Sequence, residues 1–75
     1  MDTYLVNICY RNSDGSKTQS NFYAYGREGF NDAVETIRWD IKLNGATKGT
    51  IDRLLKDTSG TELVMEQYKD DNNGR

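Results

Sequence analysis

The sequence predicts a small α+β domain: a four-stranded, largely antiparallel sheet with one helix packed on one face, in the order ββαββ. Three observations lead to this expectation. Two segments of alternating polarity come first, an amphipathic helical pattern follows them, and two short segments of matching length, the second of them β-prone, come last. No proline interrupts any of these segments.

The first two strands are predicted to form a hairpin. In Thr3–Arg11 the side chains alternate, and one face carries Tyr4, Val6, Ile8 and Tyr10. A polar stretch containing Asp14-Gly15 follows, which is typical of a tight turn. The run Lys17–Tyr25 then ends in aromatic residues that favour a pleated surface.

The helix is predicted over Phe30–Leu43. Its apolar side chains recur at spacings of three and four, which places Phe30, Ala33, Val34, Ile37 and Ile41 on one stripe. The preceding Gly26–Gly29 is interpreted as a short connection, with Gly29 or Asn31 as the helix cap. Asn44-Gly45 is a typical helix stop.

The second half of the chain is less clearly patterned. Residues Ala46–Gly49 are interpreted as a polar link, and residues 50–56 fit either a helical turn or a strand. Because Thr61–Tyr68 is β-prone and of matching length, a second hairpin is the more economical interpretation. The predicted domain therefore spans residues 1–68, and the polar residues 69–75 are expected to form a frayed tail.

Composition limits the function classes. A chain of 75 residues is one small domain, and its net charge of −2 comes with ten basic residues scattered along the sequence, which does not favour generic nucleic-acid binding. Histidine is absent and Cys9 is the lone cysteine, so we expect no metal site, no cofactor and no enzymatic activity. No signal peptide or long apolar run is present, which predicts a cytoplasmic protein without a membrane partner.

The outer face of the predicted sheet is unusually apolar. Leu5, Cys9, Tyr23 and Tyr25 would point away from the helix, with Leu54 and Val64 as further candidates. Such a surface usually contacts a partner protein or a second copy of the chain. A tyrosine platform for single-stranded nucleic acid is the competing interpretation, and it is weakened because Tyr4 and Tyr10 fall on the opposite face.

The only tryptophan of the chain occupies the side of the helix predicted to face water. At about 100° per residue, Trp39 lies far from the stripe of Ile37 and Ile41, and Leu43 falls beside it. Either another segment covers this pair or a partner does. Since Trp and Arg are enriched at binding hot spots, we expect partner contacts through Trp39, Leu43, Arg38 and Lys42, with Tyr23 and Tyr25 as the outer-face alternative. A homodimer through either the helix face or the outer sheet also fits.

The order of elements resembles that of small phage-encoded anti-CRISPR proteins. The resemblance lies in the run Gln19–Gly26 followed by the helix segment Asp32–Glu35, in Gly49-Thr50-Ile51, and in the closing hairpin through Tyr68-Lys69-Asp70. It implies a non-catalytic inhibitor that binds a CRISPR effector complex, or another bacterial defence protein, in the host cytoplasm and blocks nucleic-acid binding or cleavage. Dispersed basic residues favour docking on a protein surface over covering a guide-RNA channel.

A second resemblance is to antitoxins with a similar Gly-x-x-Gly-Phe-x-x-Ala pattern, here Gly26, Gly29, Phe30 and Ala33. It also implies a protein that binds and blocks another protein. Such antitoxins normally carry an additional DNA-binding segment, which this chain lacks.

Overall fold

The computed structural model describes residues 1–56 and 59–71, and it contains the predicted ββαββ order. The elements are β1 (Thr3–Arg11), β2 (Lys17–Tyr25), α1 (Gly26–Leu43), β3 (Ala46–Lys56) and β4 (Glu62–Asp71). The strands form one sheet in the order β2-β1-β3-β4, and every neighbouring pair is antiparallel. The α+β class is thus confirmed, and residues 50–56, which the sequence left open, are strand.

The first hairpin agrees with the prediction in both strands. Its turn is held by the Asn12 N–H, which donates to the Ser16 carbonyl at 2.8 Å, and by the Gly15 N–H, which donates to the Asn12 carbonyl at 3.0 Å. Asp14 accepts hydrogen bonds from the Ser16 hydroxyl and backbone N–H, and these bonds lower the pKa of its carboxyl group. The turn therefore fixes the register that runs from Arg11↔Lys17 to Thr3↔Tyr25.

The helix begins four residues earlier than predicted. Gly26–Gly29 is its first turn rather than a connection, and Tyr25, not Gly29 or Asn31, is the N-cap residue. The change of direction depends on Gly26, whose φ of 67° is a conformation that side chains with a Cβ rarely adopt. Its N–H donates to the Asp2 carbonyl at 2.8 Å, which ties the helix start to the strand beside it. At the other end the helix stops at Leu43, as predicted, with Asn44 as the C-cap.

The boundaries of the last two strands also correct the prediction. Ala46–Gly49 is not a polar link: it is the first part of β3, and both end residues are buried. Strand β4 continues through Asp71, three residues beyond the predicted end of the domain. Of the expected turn, residues 57 and 58 lie outside the described residues, as do residues 72–75 of the expected tail.

The core lies between the helix and one face of the sheet, as the alternation predicted. Its fully buried members are small or branched: Val6, Ile8, Ala24, Ala33, Ile37, Ala46 and Ile51. Phe22, which the alternation of β2 assigns to this layer, is instead 36% exposed, and the further core candidates Leu63 and Met65 are 47% and 52% exposed. They belong to the two edge strands, and an edge strand borders solvent along its open side.

Gly49 sets how closely the helix approaches the sheet. A Cβ added at this glycine would lie 2.5 Å from Cγ2 of Ile37 and 2.7 Å from its Cγ1. Ile37 is fully buried at the centre of the helix stripe. Because Gly49 has no side chain, Ile37 of the helix can pack directly against the backbone of β3.

Candidate functional site

The candidate site lies on the helix face opposite the sheet. Ile37 is fully buried, whereas Trp39, two residues later, is 53% exposed and Leu43 is 66% exposed. The rotation of about 100° per residue produces this contrast, because it turns Trp39 to the far side of the helix and brings Leu43 back to the same side one turn later. The pair predicted to need a cover is open to solvent in the structure.

A basic side chain lies close to the tryptophan ring. The Nζ atom of Lys42 lies 5.4 Å from the centre of the Trp39 ring, within the range of a cation–π interaction. Trp39 and Lys42 also line an open depression of about 250 Å³, together with Arg38 and Glu35. Four predicted contact residues therefore share one helix face, although Leu43 lies just outside the depression.

Asp40 follows Trp39 in sequence and lies about 100° around the helix from it, within reach of β1. Its Oδ2 accepts a hydrogen bond of 2.5 Å from the Tyr10 hydroxyl, and its Oδ1 accepts one of 2.7 Å from the side-chain amide of Asn44. Burial, followed by the hydrogen bond to Asp40 and the charge of that carboxylate, raises the pKa of Tyr10 to about 12. Asp40 thus connects the end of the helix to β1 through a hydrogen bond. Its carboxylate is therefore directed towards β1 and not towards the exposed face of Trp39.

The alternative site, Tyr23 and Tyr25, lies on the open face of the sheet. Both side chains are more than half exposed. The strand register places them in two parallel rows, Tyr25–Thr3–Leu54–Val64 and Tyr23–Leu5–Asp52–Glu66. The first row is apolar apart from Thr3, whereas the second ends in two carboxylates.

The helix and the sheet separate the two candidate surfaces. Trp39 and Leu43 point away from the sheet on one side of the molecule, and Tyr23 and Tyr25 occupy the sheet face on the other. A single rigid surface of a partner cannot contact both sets. The predicted helix contacts, Trp39, Leu43, Arg38 and Lys42, and their outer-face alternative, Tyr23 and Tyr25, therefore lie on two separate surfaces.

A second depression, of about 280 Å³, was not foreseen from the sequence. Its lining consists of Asp2, Tyr4, Arg27, Phe30 and Gln67. The rings of Tyr4 and Phe30 pack at 5.1 Å between centroids, and Asp2 forms a 3.0 Å ion pair with Arg53. Gln67 reaches this place because β4 has an irregularity opposite the Ile51/Asp52 step, which no sequence pattern marks.

The described residues hold no group of three or more Cys, Asp or Glu side chains placed to bind a metal ion. In the same part of the chain, no helix is both long enough and apolar enough to cross a membrane. Comparisons of the chain with protein-family models, with curated proteins and with solved structures each found no match.

Proposed function

We propose that this chain is a non-enzymatic protein-binding domain and that the helix face formed by Trp39, Leu43, Arg38 and Lys42 is its docking surface. The observation that carries the proposal is the exposure of Trp39 and Leu43 one turn apart on a helix whose other face is the core. An apolar pair of this size in water is unfavourable, and a partner that covers it removes that cost.

The composition of the helix face suits a protein partner. Trp and Arg are the residue types most enriched at binding hot spots, because each combines a large contact area with a directional polar group. The helix also presents them on a backbone fixed by the core, so no loop has to be ordered on binding. Lys42 lies 5.4 Å from the centre of the Trp39 ring, and 53% of Trp39 remains exposed.

Nucleic-acid binding through the sheet is the competing proposal, and the charge pattern disfavours it. Tyr23 shares its row with Asp52 and Glu66, and Asp71 lies on the same face beside Lys48. Carboxylates among the stacking residues repel the phosphates that such binding requires.

A more specific proposal is an inhibitor of the anti-CRISPR kind, encoded by a phage and acting in the bacterial cytoplasm. It is supported by the ββαββ arrangement and by an exposed helix face suited to a large protein surface. In this proposal the helix face docks on a CRISPR effector complex and blocks its binding or cleavage of nucleic acid. In the alternative, antitoxin-like form of this proposal, the helix face docks on another protein, such as a toxin, and blocks its activity.

Phage plaquing on CRISPR-immune bacteria tests the specific proposal. Strains that carry different CRISPR systems and a matching spacer would express the wild-type chain, the double variant Trp39→Ala/Leu43→Ala, or the control Tyr23→Ala/Tyr25→Ala. We expect the wild type and the control to restore plaquing on one of these hosts, and the helix variant to lose this effect. Failure of the wild type on every host would refute the anti-CRISPR proposal, and equal rescue by the helix variant would refute the assignment of the site.

A further inference from the structure

The open edge of strand β2 differs from the other edge of the sheet. In the described part of the chain β2 pairs with β1 on one side and with no strand on the other. Seven consecutive residues, 17–23, are exposed, and only Lys17 among the nine residues of β2 is charged. The pairing of β2 with β1 is regular throughout, so no bulge interrupts this edge.

Strand β4, at the opposite edge, carries the protection that natural edge strands usually have. Five of its ten residues are charged, and its pairing with β3 is irregular between Ile51 and Asp52. Charges and bulges of this kind prevent unwanted strand pairing. Their absence from β2 marks that edge as one that can accept another strand.

The turn of the first hairpin shows which backbone groups β2 offers. Because Asn12 and Ser16 form a hydrogen-bonded pair, the pairs Tyr10↔Thr18, Ile8↔Ser20 and Val6↔Phe22 are hydrogen-bonded too, and the pairs between them are not. The Arg11 N–H donates to the carbonyl of Gly45, just before β3, at 3.2 Å. This bond is consistent with the same alternation, in which the backbone groups of the odd-numbered residues of β1 face β3. The N–H and C=O groups of Gln19, Asn21 and Tyr23 therefore face the open edge.

We infer that this edge pairs with β2 of a second copy of the chain, in antiparallel register about Asn21, to form a continuous eight-stranded sheet. In this register Asn21 lies opposite Asn21 of the second copy, and Gln19 lies opposite Tyr23. All three odd-numbered residues then exchange both of their outward hydrogen bonds.

Charge and apolar exposure identify a second copy as the occupant. The chain has a net charge of −2, but β2 has no acidic residue, so two copies meet with little repulsion along this edge. The register also brings the two Phe22 side chains to diagonal positions on the helix side, where aromatic side chains are within reach of each other. Phe22, 36% exposed in the single chain, is thereby covered by its symmetry mate.

The mass of the protein in solution tests this inference. We expect light scattering to give twice the 8.6 kDa chain mass for the wild type at high concentration. Asn21→Pro removes one outward N–H without breaking a β1–β2 hydrogen bond, so it should give the single-chain mass. Asn21→Ala keeps that N–H and serves as the matched control, which should remain a dimer.

A charge exchange tests the register without altering the backbone. Asn21→Lys and Asn21→Asp should each give the single-chain mass, because like charges then lie directly opposite each other, and their mixture should restore the double mass. Circular dichroism verifies that every variant is folded.

A wild type that is monomeric at all concentrations would overturn the inference, as would a dimer that survives both Asn21→Pro and Asn21→Lys. A dimer abolished by Trp39→Ala/Leu43→Ala would assign the contact to the helix face instead. A monomer that loses a protein partner on Asn21→Pro would assign the edge to a strand of that partner.

Discussion

At the scale of single residues, we expect the contact of Tyr10 with Asp40 to affect the pH dependence of stability. The pKa of Tyr10 is raised from the ordinary value of 10.0 to about 12, so the folded state retains a proton that the unfolded state loses in this interval. Its contribution to stability is therefore complete below pH 10 and is lost as the pH rises through about 12.

Tyr10→Phe tests this contribution. Without the Tyr10 hydroxyl, the Asp40 carboxylate loses one hydrogen-bond donor. We therefore expect the free energy of unfolding at neutral pH to fall by about 1–3 kcal/mol. The decline of stability between pH 10 and 12 should also be shallower than in the wild type. Urea denaturation across this range measures both effects, with the exposed Tyr23→Phe as the control. An alkaline decline of unchanged slope in Tyr10→Phe would contradict the assignment.

The position of Trp39 and Leu43 opposite the core stripe could be predicted from the helical period alone, but their exposure could not, because another segment could have covered them. The hydrogen bond of Asp40 to β1 could not be predicted from the sequence. Its partner Tyr10 is thirty residues away in sequence, and only the crossing of the helix over β1 brings the two together. For the same reason the second depression, which combines residues from both ends of the chain, has no local signature.

At the scale of elements, the approach of the helix to β3 depends on Gly49. Gly49→Ala places a Cβ well inside contact distance of Ile37, so we expect a loss of about 1–3 kcal/mol in the free energy of unfolding. Ile37→Ala removes the atoms that would clash but leaves a cavity, at a cost of about 2–5 kcal/mol. The double variant should be less destabilised than the sum of the two, because the new methyl group partly fills that cavity.

Urea denaturation of the four proteins measures this double-mutant cycle. Thr50→Ala, on the opposite face of the same strand, is the control and should cost no more than about 1 kcal/mol, the difference in β-propensity between the two residues. Strictly additive losses from Gly49→Ala and Ile37→Ala would show that these residues do not share the contact.

The types of β1, β2 and α1 followed from periodicity, and that of β3 from the matching length of the β-prone run after it, whereas several boundaries could not be predicted. Ala46–Gly49 looks like a loop because small residues have low β-propensity, but the helix requires small residues where it approaches β3. The alternation that marks Ile51 also places Gly49 on the helix side, and this is the signal that could have revealed the strand. The early start of the helix at Gly26 depends on a positive φ and on a bond to Asp2, neither of which a propensity indicates.

At the scale of the whole molecule, the two-layer arrangement of the described residues leaves the helix face of Trp39, the outer face of the sheet and the edge of β2 exposed. We propose a protein partner for the first and a second copy of the chain for the third. Two chains joined at β2 would carry both helices on the same side of the sheet, so the dimer would present two Trp39 surfaces together.

Affinity capture from a bacterial lysate that contains defence complexes tests the central claim most directly. The wild type, Trp39→Ala/Leu43→Ala and Tyr23→Ala/Tyr25→Ala would be compared after nuclease treatment, with quantitative mass spectrometry of the retained proteins. Both double variants change exposed residues and should keep the stability of the wild type within about 0.5 kcal/mol per substitution. We predict that the wild type and the tyrosine variant retain the same protein and that the helix variant loses it. Equal retention by the helix variant, or retention abolished by the nuclease, would contradict the claim.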